Sequence, residues 1–158
     1  MENKLTKKQL DFRTEINNLE KTLLNTNHPR IVTGEKLNEA LPLTHSFSDG
    51  IYVREMKLPK GCCLIGKIHK KSNTWFLLKG KLAIATSTGV KTYTAPIYMN
   101  APAGEKKIGY ALEDSVFINV CPNPENKENI KELELDIVTD SYDSYDRFIE
   151  DKQKYLKE

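Results

Sequence analysis

The feature that most constrains this chain is a tight succession of short apolar stretches between residues 46 and 122, most of them closed by a turn signal. Ile51–Leu58 lies between Asp49-Gly50 and Pro59-Lys60-Gly61, and Cys62–His69 follows at once. Asn73–Leu78 ends at Lys79-Gly80, Leu82–Thr86 stops at the turn Ser87–Gly89, and Val90–Ala95 runs up to Pro96. Ile97–Ala101, Lys107–Leu112 and Ser115–Cys121 complete the set. The stretches are rich in β-branched and aromatic residues, and Gly and Pro punctuate them. This pattern predicts about eight strands in an all-β sandwich or barrel. No long helical pattern interrupts the strands, so parallel βαβ units are not expected.

The flanks read differently and divide the chain into three zones: a helical arm and linker over 1–45, a barrel over 46–122, and a strand and helical extension over 123–158. In the arm, Leu5, Phe12, Ile16, Leu19 and Leu23 form a heptad seam with one gap at Gln9. Thr6 can cap this helix, and Asn25–Pro29 ends it. A helix of this length is not held by its own hydrogen bonds in water, so the seam must pack on something. Its own barrel, a second copy and another protein are all open, and Phe12, Ile16, Leu19 and Leu23 are the candidate assembly surface. A second short helix is expected over Gly34–Leu41. After Pro122 and Pro124, Ile130–Val138 predicts a short helix merging into a strand, and Ser144–Leu156 a polar helix.

Composition narrows the function classes. At 158 residues one domain with appended arms is expected. The net charge of +2 gives no footprint for nucleic acid. The stretch Met1–Gln9 is polar and predicts no signal peptide, and no apolar run nears the ~20 residues of a membrane span. The three cysteines, Cys62, Cys63 and Cys121, lack a CxxC pattern and are expected as reduced thiols in strands. Adjacent Cys62 and Cys63 must face opposite sides of their sheet.

Residues 61–111 carry spacings that resemble the two sequence motifs of the cupin superfamily. The first motif, G-x5-H-x-H-x3-E-x6-G, is matched in position by Gly61, Lys67, His69, Asn73 and Gly80. The second, G-x5-P-x-G-x2-H-x3-N, is matched by Pro102, Gly104 and Lys107, with Pro96 in the place of the leading glycine and Ala111 at the end. The resemblance implies a cupin-type jelly-roll barrel, which with the flanking zones gives an all-β fold with helical arms at both ends. It also implies that the four metal-ligand slots of the family hold Lys67, His69, Asn73 and Lys107. A protonated lysine has donors only and cannot ligate, and two ammonium groups repel a cation. No metal and no cofactor are therefore expected. The strings Gly66–Lys70, Thr94–Pro96, Pro102–Gly104, Gly109–Asp114 and Ile130–Phe148 are similar to cupin-like proteins encoded by tailed bacteriophages.

That second likeness, the emptied slots and the arms lead to one expectation. The chain would be a non-catalytic structural component of a phage particle, on the capsid or tail, assembled in the host cytoplasm. Its partners would be other phage structural proteins or itself, with no nucleic acid and no membrane. The alternative is a metal-free cupin enzyme or a small-molecule or carbohydrate-binding protein. Proton transfer would then fall to His69 with Lys67 or Lys107, near Tyr93 or Tyr110. Sugar stacking would fall to Trp75 if exposed, although a buried tryptophan is the commoner outcome.

Overall fold

The computed structural model describes residues 5–86 and 88–156. Met1–Lys4 of the polar leading stretch and Ser87 of the predicted turn lie outside the described residues. The chain begins with helix α1 (Lys7–Asn25), strand β1 (Ile31–Thr33), a single helical turn α2 (Leu37–Ala40), β2 (Leu43–Ser48) and β3 (Ile51–Leu58). It continues through β4 (Cys63–Ile65), β5 (Ile68–His69), β6 (Asn73–Lys79), β7 (Lys81–Thr86) and β8 (Gly89–Thr94). Then come β9 (Ile97–Ala101), β10 (Ile108–Ala111), β11 (Ser115–Pro122), helix α3 (Ile130–Ile137), β12 (Val138–Thr139) and helix α4 (Tyr142–Tyr155).

The strands form two five-stranded sheets, β1-β4-β10-β7-β8 and β2-β3-β11-β6-β9, and a small third sheet of β12 with β5. The expected closed barrel is corrected: the outer strands of one large sheet do not pair with those of the other, so a jelly-roll sandwich results. Two further expectations change. The zone set aside as arm and linker contributes β1 to one sheet and β2 to the other. Three residues, or an edge strand with only Leu43 and Phe47 as large apolar groups, leave too little pattern to read. Cys62–His69, expected as one strand, breaks at Gly66-Lys67 into β4 and β5, and these pair with different partners.

Alternation explains how the layers pack. From β3, Met56 and Leu58 enter the space between the large sheets; from β6 come Trp75 and Leu77, from β7 Leu82 and Ile84, and from β11 Phe117. Trp75 stacks on Phe117 at 5.4 Å between ring centroids and meets Tyr93 edge-on at 5.2 Å. Cys62 belongs to this core, whereas Cys63 belongs to the layer on the other side of its sheet. Gly80 joins β6 to β7 at φ +86°, and an added Cβ would lie 2.3 Å from the Ser115 hydroxyl. Only glycine fits that turn.

The outer face of the first sheet is roofed by α1 and α4. Ile16, 2% exposed, packs with Ile65, Ile68, Ile108, Tyr142 and Tyr145, and Phe12, Leu19 and Leu23 flank it. Burying a side chain such as Ile16 contributes roughly 1.5–3 kcal/mol. The four seam residues expected as an assembly surface thus lie on the chain's own sheet. Thr6 caps α1 as its sequence suggests: its hydroxyl accepts from the Gln9 amide at 3.3 Å, and Gln9 Oε1 accepts from the Thr6 amide at 2.8 Å. Arg13 pins α1 to α4 by donating to both oxygens of Asp146, at 3.0 and 2.8 Å. Lys106, buried before β10, donates to Glu20 of α1 at 2.5 Å. No helix among the described residues is long and apolar enough to cross a membrane.

Helix α3 closes one end of the sandwich. Its Leu133 and Ile137 pack on Tyr52 and Cys121, the inward residues at the far ends of β3 and β11. Asn129 caps it by accepting from the amides of Lys131 and Glu132. At the other terminus Lys70 Nζ donates to the Leu135 carbonyl at 2.6 Å, placing a cation where the helix dipole is negative. Loop and helix are thereby fixed across the mouth of the sandwich.

Candidate functional site

Between the two large sheets, beneath α3, lies a cavity of about 80 Å³. That is room for several waters or for a molecule of a few heavy atoms. Its floor is apolar, formed by Met56, Leu58, Leu82, Ile84 and Phe117. Its other end is polar and gathers Arg54, Lys67, His69, Lys107, Asn119 and Glu134. Three of the four expected slots therefore meet at one place.

The fourth, Asn73, is set back. It is buried, and its Oδ1 accepts from Asn119 Nδ2 at 3.3 Å, so Asn119 stands at the cavity wall in its place. Tyr93 packs on Trp75 in the apolar core, and Tyr110 points out of the sheet at 45% exposure, so neither reaches the polar end. Trp75 is 3% exposed and offers no face for a sugar.

Each wall residue is positioned by a definite local arrangement. His69 is clamped on both edges: its amide donates to Glu105 O at 3.2 Å, its carbonyl accepts from Gly104 at 2.7 Å, and β5 pairs with β12. Lys67 lies across Gly34, where a Cβ would come within 2.7 Å of Lys67 Cγ, and its Nζ pairs with Asp140 at 3.0 Å. Lys107 donates to Glu105 at 2.5 Å. Arg54 follows Tyr52 on the inward face of β3, and its Nη1 lies 3.6 Å from Glu134 of α3. Asn119 alternates with Phe117 and Cys121 on the inward face of β11.

Three buried polar atoms lack a hydrogen-bond partner among the described residues: Arg54 Nε, His69 Nδ1 and Asn73 Nδ2. A buried polar group left unpaired costs about 1–3 kcal/mol, so each calls for a reason. Burial, with Lys107 and Arg54 adding to it, pushes His69 down to about 3. The imidazole is therefore neutral near pH 7, a hydrogen-bonding group and a weak base rather than a cation. Burial raises Cys121 to about 11, which leaves it an inert thiol. Burial also raises Cys62 and Cys63.

The cupin resemblance implies a divalent metal at these slots, and the residues do not fit one. The ammonium groups of Lys67 and Lys107 are engaged with Asp140 and Glu105, and a lysine cation has no lone pair to give. His69 is left with an amide behind it, and Arg54 adds a further positive charge. Among the described residues no three His, Cys, Asp or Glu side chains come together.

Arg54, Asn119 and Glu134 were missed by reasoning from motifs. A signal existed for the first two: each is a polar residue on the apolar phase of an alternating strand, Tyr52-Arg54-Met56-Leu58 and Ser115-Phe117-Asn119-Cys121. Glu134 had none, because it arrives only when α3 folds over the end of the sandwich.

No family model matches the chain, and no curated protein matches it. Solved structures do. An acetylacetone dioxygenase from Acinetobacter johnsonii matches at 22% identity and a TM-score of 0.44, over 55% of this chain and 65% of that one. A cupin superfamily protein from Desulfitobacterium hafniense matches at 10% identity and a TM-score of 0.47, over 52% and 76%. An RmlC-like cupin family protein from Methanocaldococcus jannaschii, with a double-stranded β-helix fold, matches at 13% and 0.47, over 54% and 83%. The chain thus spans just under two thirds of the Acinetobacter enzyme. The structural neighbours are cupin superfamily proteins, and the likeness concerns the fold: a cupin-like jelly-roll sandwich with helices at both ends. The expectation of a non-enzyme is corrected here, since the neighbours include acetylacetone dioxygenases, a second one coming from Methylibium petroleiphilum. The likeness to phage-encoded proteins gains no support from these comparisons.

Proposed function

We propose that the protein binds a small organic molecule in the inter-sheet cavity, using hydrogen bonds and charge in place of a metal. The observation that carries this reading is the pairing of an apolar floor with Arg54 Nε and His69 Nδ1 at one end, both buried and without a partner among the described residues. Ligand sites combine mostly apolar walls with a few placed polar groups, and this cavity has that composition. The seam that motivated a particle-assembly reading lies against the chain's own sheet, which favours a function inside the sandwich over one on its arm. Should the bound molecule be turned over, His69, Lys107 and Glu134 are wall residues able to move a proton.

The test is a ligand-observed NMR screen of small metabolites against the wild type and Ile84→Phe, which fills the apolar floor. Hits should bind the wild type with micromolar affinity and lose it at least ten-fold in the variant. Hits whose binding is indifferent to Ile84→Phe would place the ligand elsewhere.

A further inference from the structure

The polar end of the cavity sets an acid beside each of its cations, but not in equally good contact. Of its three cations, two are matched: Lys67 by Asp140 at 3.0 Å and Lys107 by Glu105 at 2.5 Å. Arg54 is not. Its side chain is 13% exposed, and its Nε has no partner among the described residues. Its nearest acid, Glu134, stands 3.6 Å from Nη1, too far for a hydrogen bond. His69, 9% exposed, lines the same space with an unpartnered Nδ1. Asn119 presents a further amide there.

A guanidinium offers parallel N–H donors in a rigid plane, a shape that two carboxylate oxygens satisfy together. Glu134 supplies the charge for that match without the contact. It is 24% exposed and is carried on a helix that packs over the mouth, so its carboxylate can turn to water when a better partner arrives. Resting on the reading that the cavity takes a small molecule, we propose that this molecule carries a carboxylate, or an oxyanion of like shape, and that its head takes Arg54 over from Glu134. The short apolar body then lies on Met56, Leu82, Ile84 and Phe117. Glu134 is on this account a competitor of the ligand, not a contact to it. It keeps the guanidinium partly neutralised in the free protein and favours ligands with a full negative charge over neutral isosteres.

The experiment titrates the full chain with three probes of equal length, butanoate, butanamide and 1-butanol, followed by protein-observed NMR. Butanoate should bind at least ten-fold more tightly than butanamide. Arg54→Met should abolish that preference. Arg54→Lys, which keeps the charge without the fork and is the gentler change for folding, should remove most of it. Glu134→Gln should strengthen butanoate several-fold and leave butanamide unchanged. If butanamide or butanol binds the cavity as well as butanoate does, the anionic head is wrong while the small-molecule reading stands. Weaker butanoate binding in Glu134→Gln would overturn the displacement by showing that the acid assists the ligand. If none of the three probes binds, both readings fall.

Discussion

The two sides of the space between the sheets are built on opposite principles. Towards β6 and β8, Trp75, Leu77, Tyr93 and Phe117 fill the interior with stacked and edge-on rings. On the other side, beneath α3, Arg54, His69 and Asn119 face a cavity, and buried polar atoms lack partners among the described residues. β3 and β11 supply both kinds of residue: Arg54 alternates inward with Met56 and Leu58, and Phe117 with Asn119, which stands in register with Trp75. Alternation alone orients all of these residues inward. What differs is chemistry. The packed side stabilises the fold, while the polar side lowers stability in a way that a ligand can offset.

This contrast is open to experiment, and the largest effect is expected on the packed side. Trp75→Ala should destabilise the protein by about 3–5 kcal/mol, since it removes a ring touching two others. Denaturant unfolding measures it, and a loss below about 1 kcal/mol would mean that this side is not the tight one. The next effect comes from His69. Its value lies at about 3 in the fold and near 6.5 when unfolded, so the unfolded chain binds the extra proton between those pH values. Its contribution is complete above pH 6.5 and is lost on acidification, at about 1.4 kcal/mol per pH unit. Unfolding curves from pH 7 to 4 should show this slope in the wild type and a shallower one in His69→Gln.

The polar side should also respond asymmetrically. Asn119→Leu alone leaves Asn73 with no partner and should cost about 1–3 kcal/mol, while the double variant with Asn73→Leu should recover most of that loss. If the double variant is the worse of the two, the amide pair is a structural necessity rather than part of a site. The smallest effect is expected outside both sides. Arg13→Ala breaks a bidentate pair with a partly exposed Asp146 and a contact over the Tyr142 ring, and should cost about 1 kcal/mol or less. Thermal melts in low and high salt would measure it.

How much of this could be read from the chain follows the same division. The bounds of β3 and β9, the opposed Cys62 and Cys63, the capped α1 and the merging of Ile130–Val138 into helix and strand all follow from local rules: period, turn residues and capping. The cavity was legible in part. Motif spacing located Lys67, His69 and Lys107, because Gly61, Gly80 and Gly104 fix turns around them. The fourth slot, Asn73, lies behind Asn119 of the neighbouring strand rather than at the cavity wall. The pairing of β1 with β4, the open edges of the sheets and the arrival of Glu134 depend on contacts between residues far apart in the chain. No window of sequence contains them.

The most direct test of a metal-free, charge-reading cavity is to follow the Arg54 Nε–H and His69 imidazole NMR signals during a butanoate titration in excess EDTA. Both signals should shift saturably, with the Arg54 proton moving towards a stronger hydrogen bond. Signals that stay still until a divalent metal is restored would contradict it.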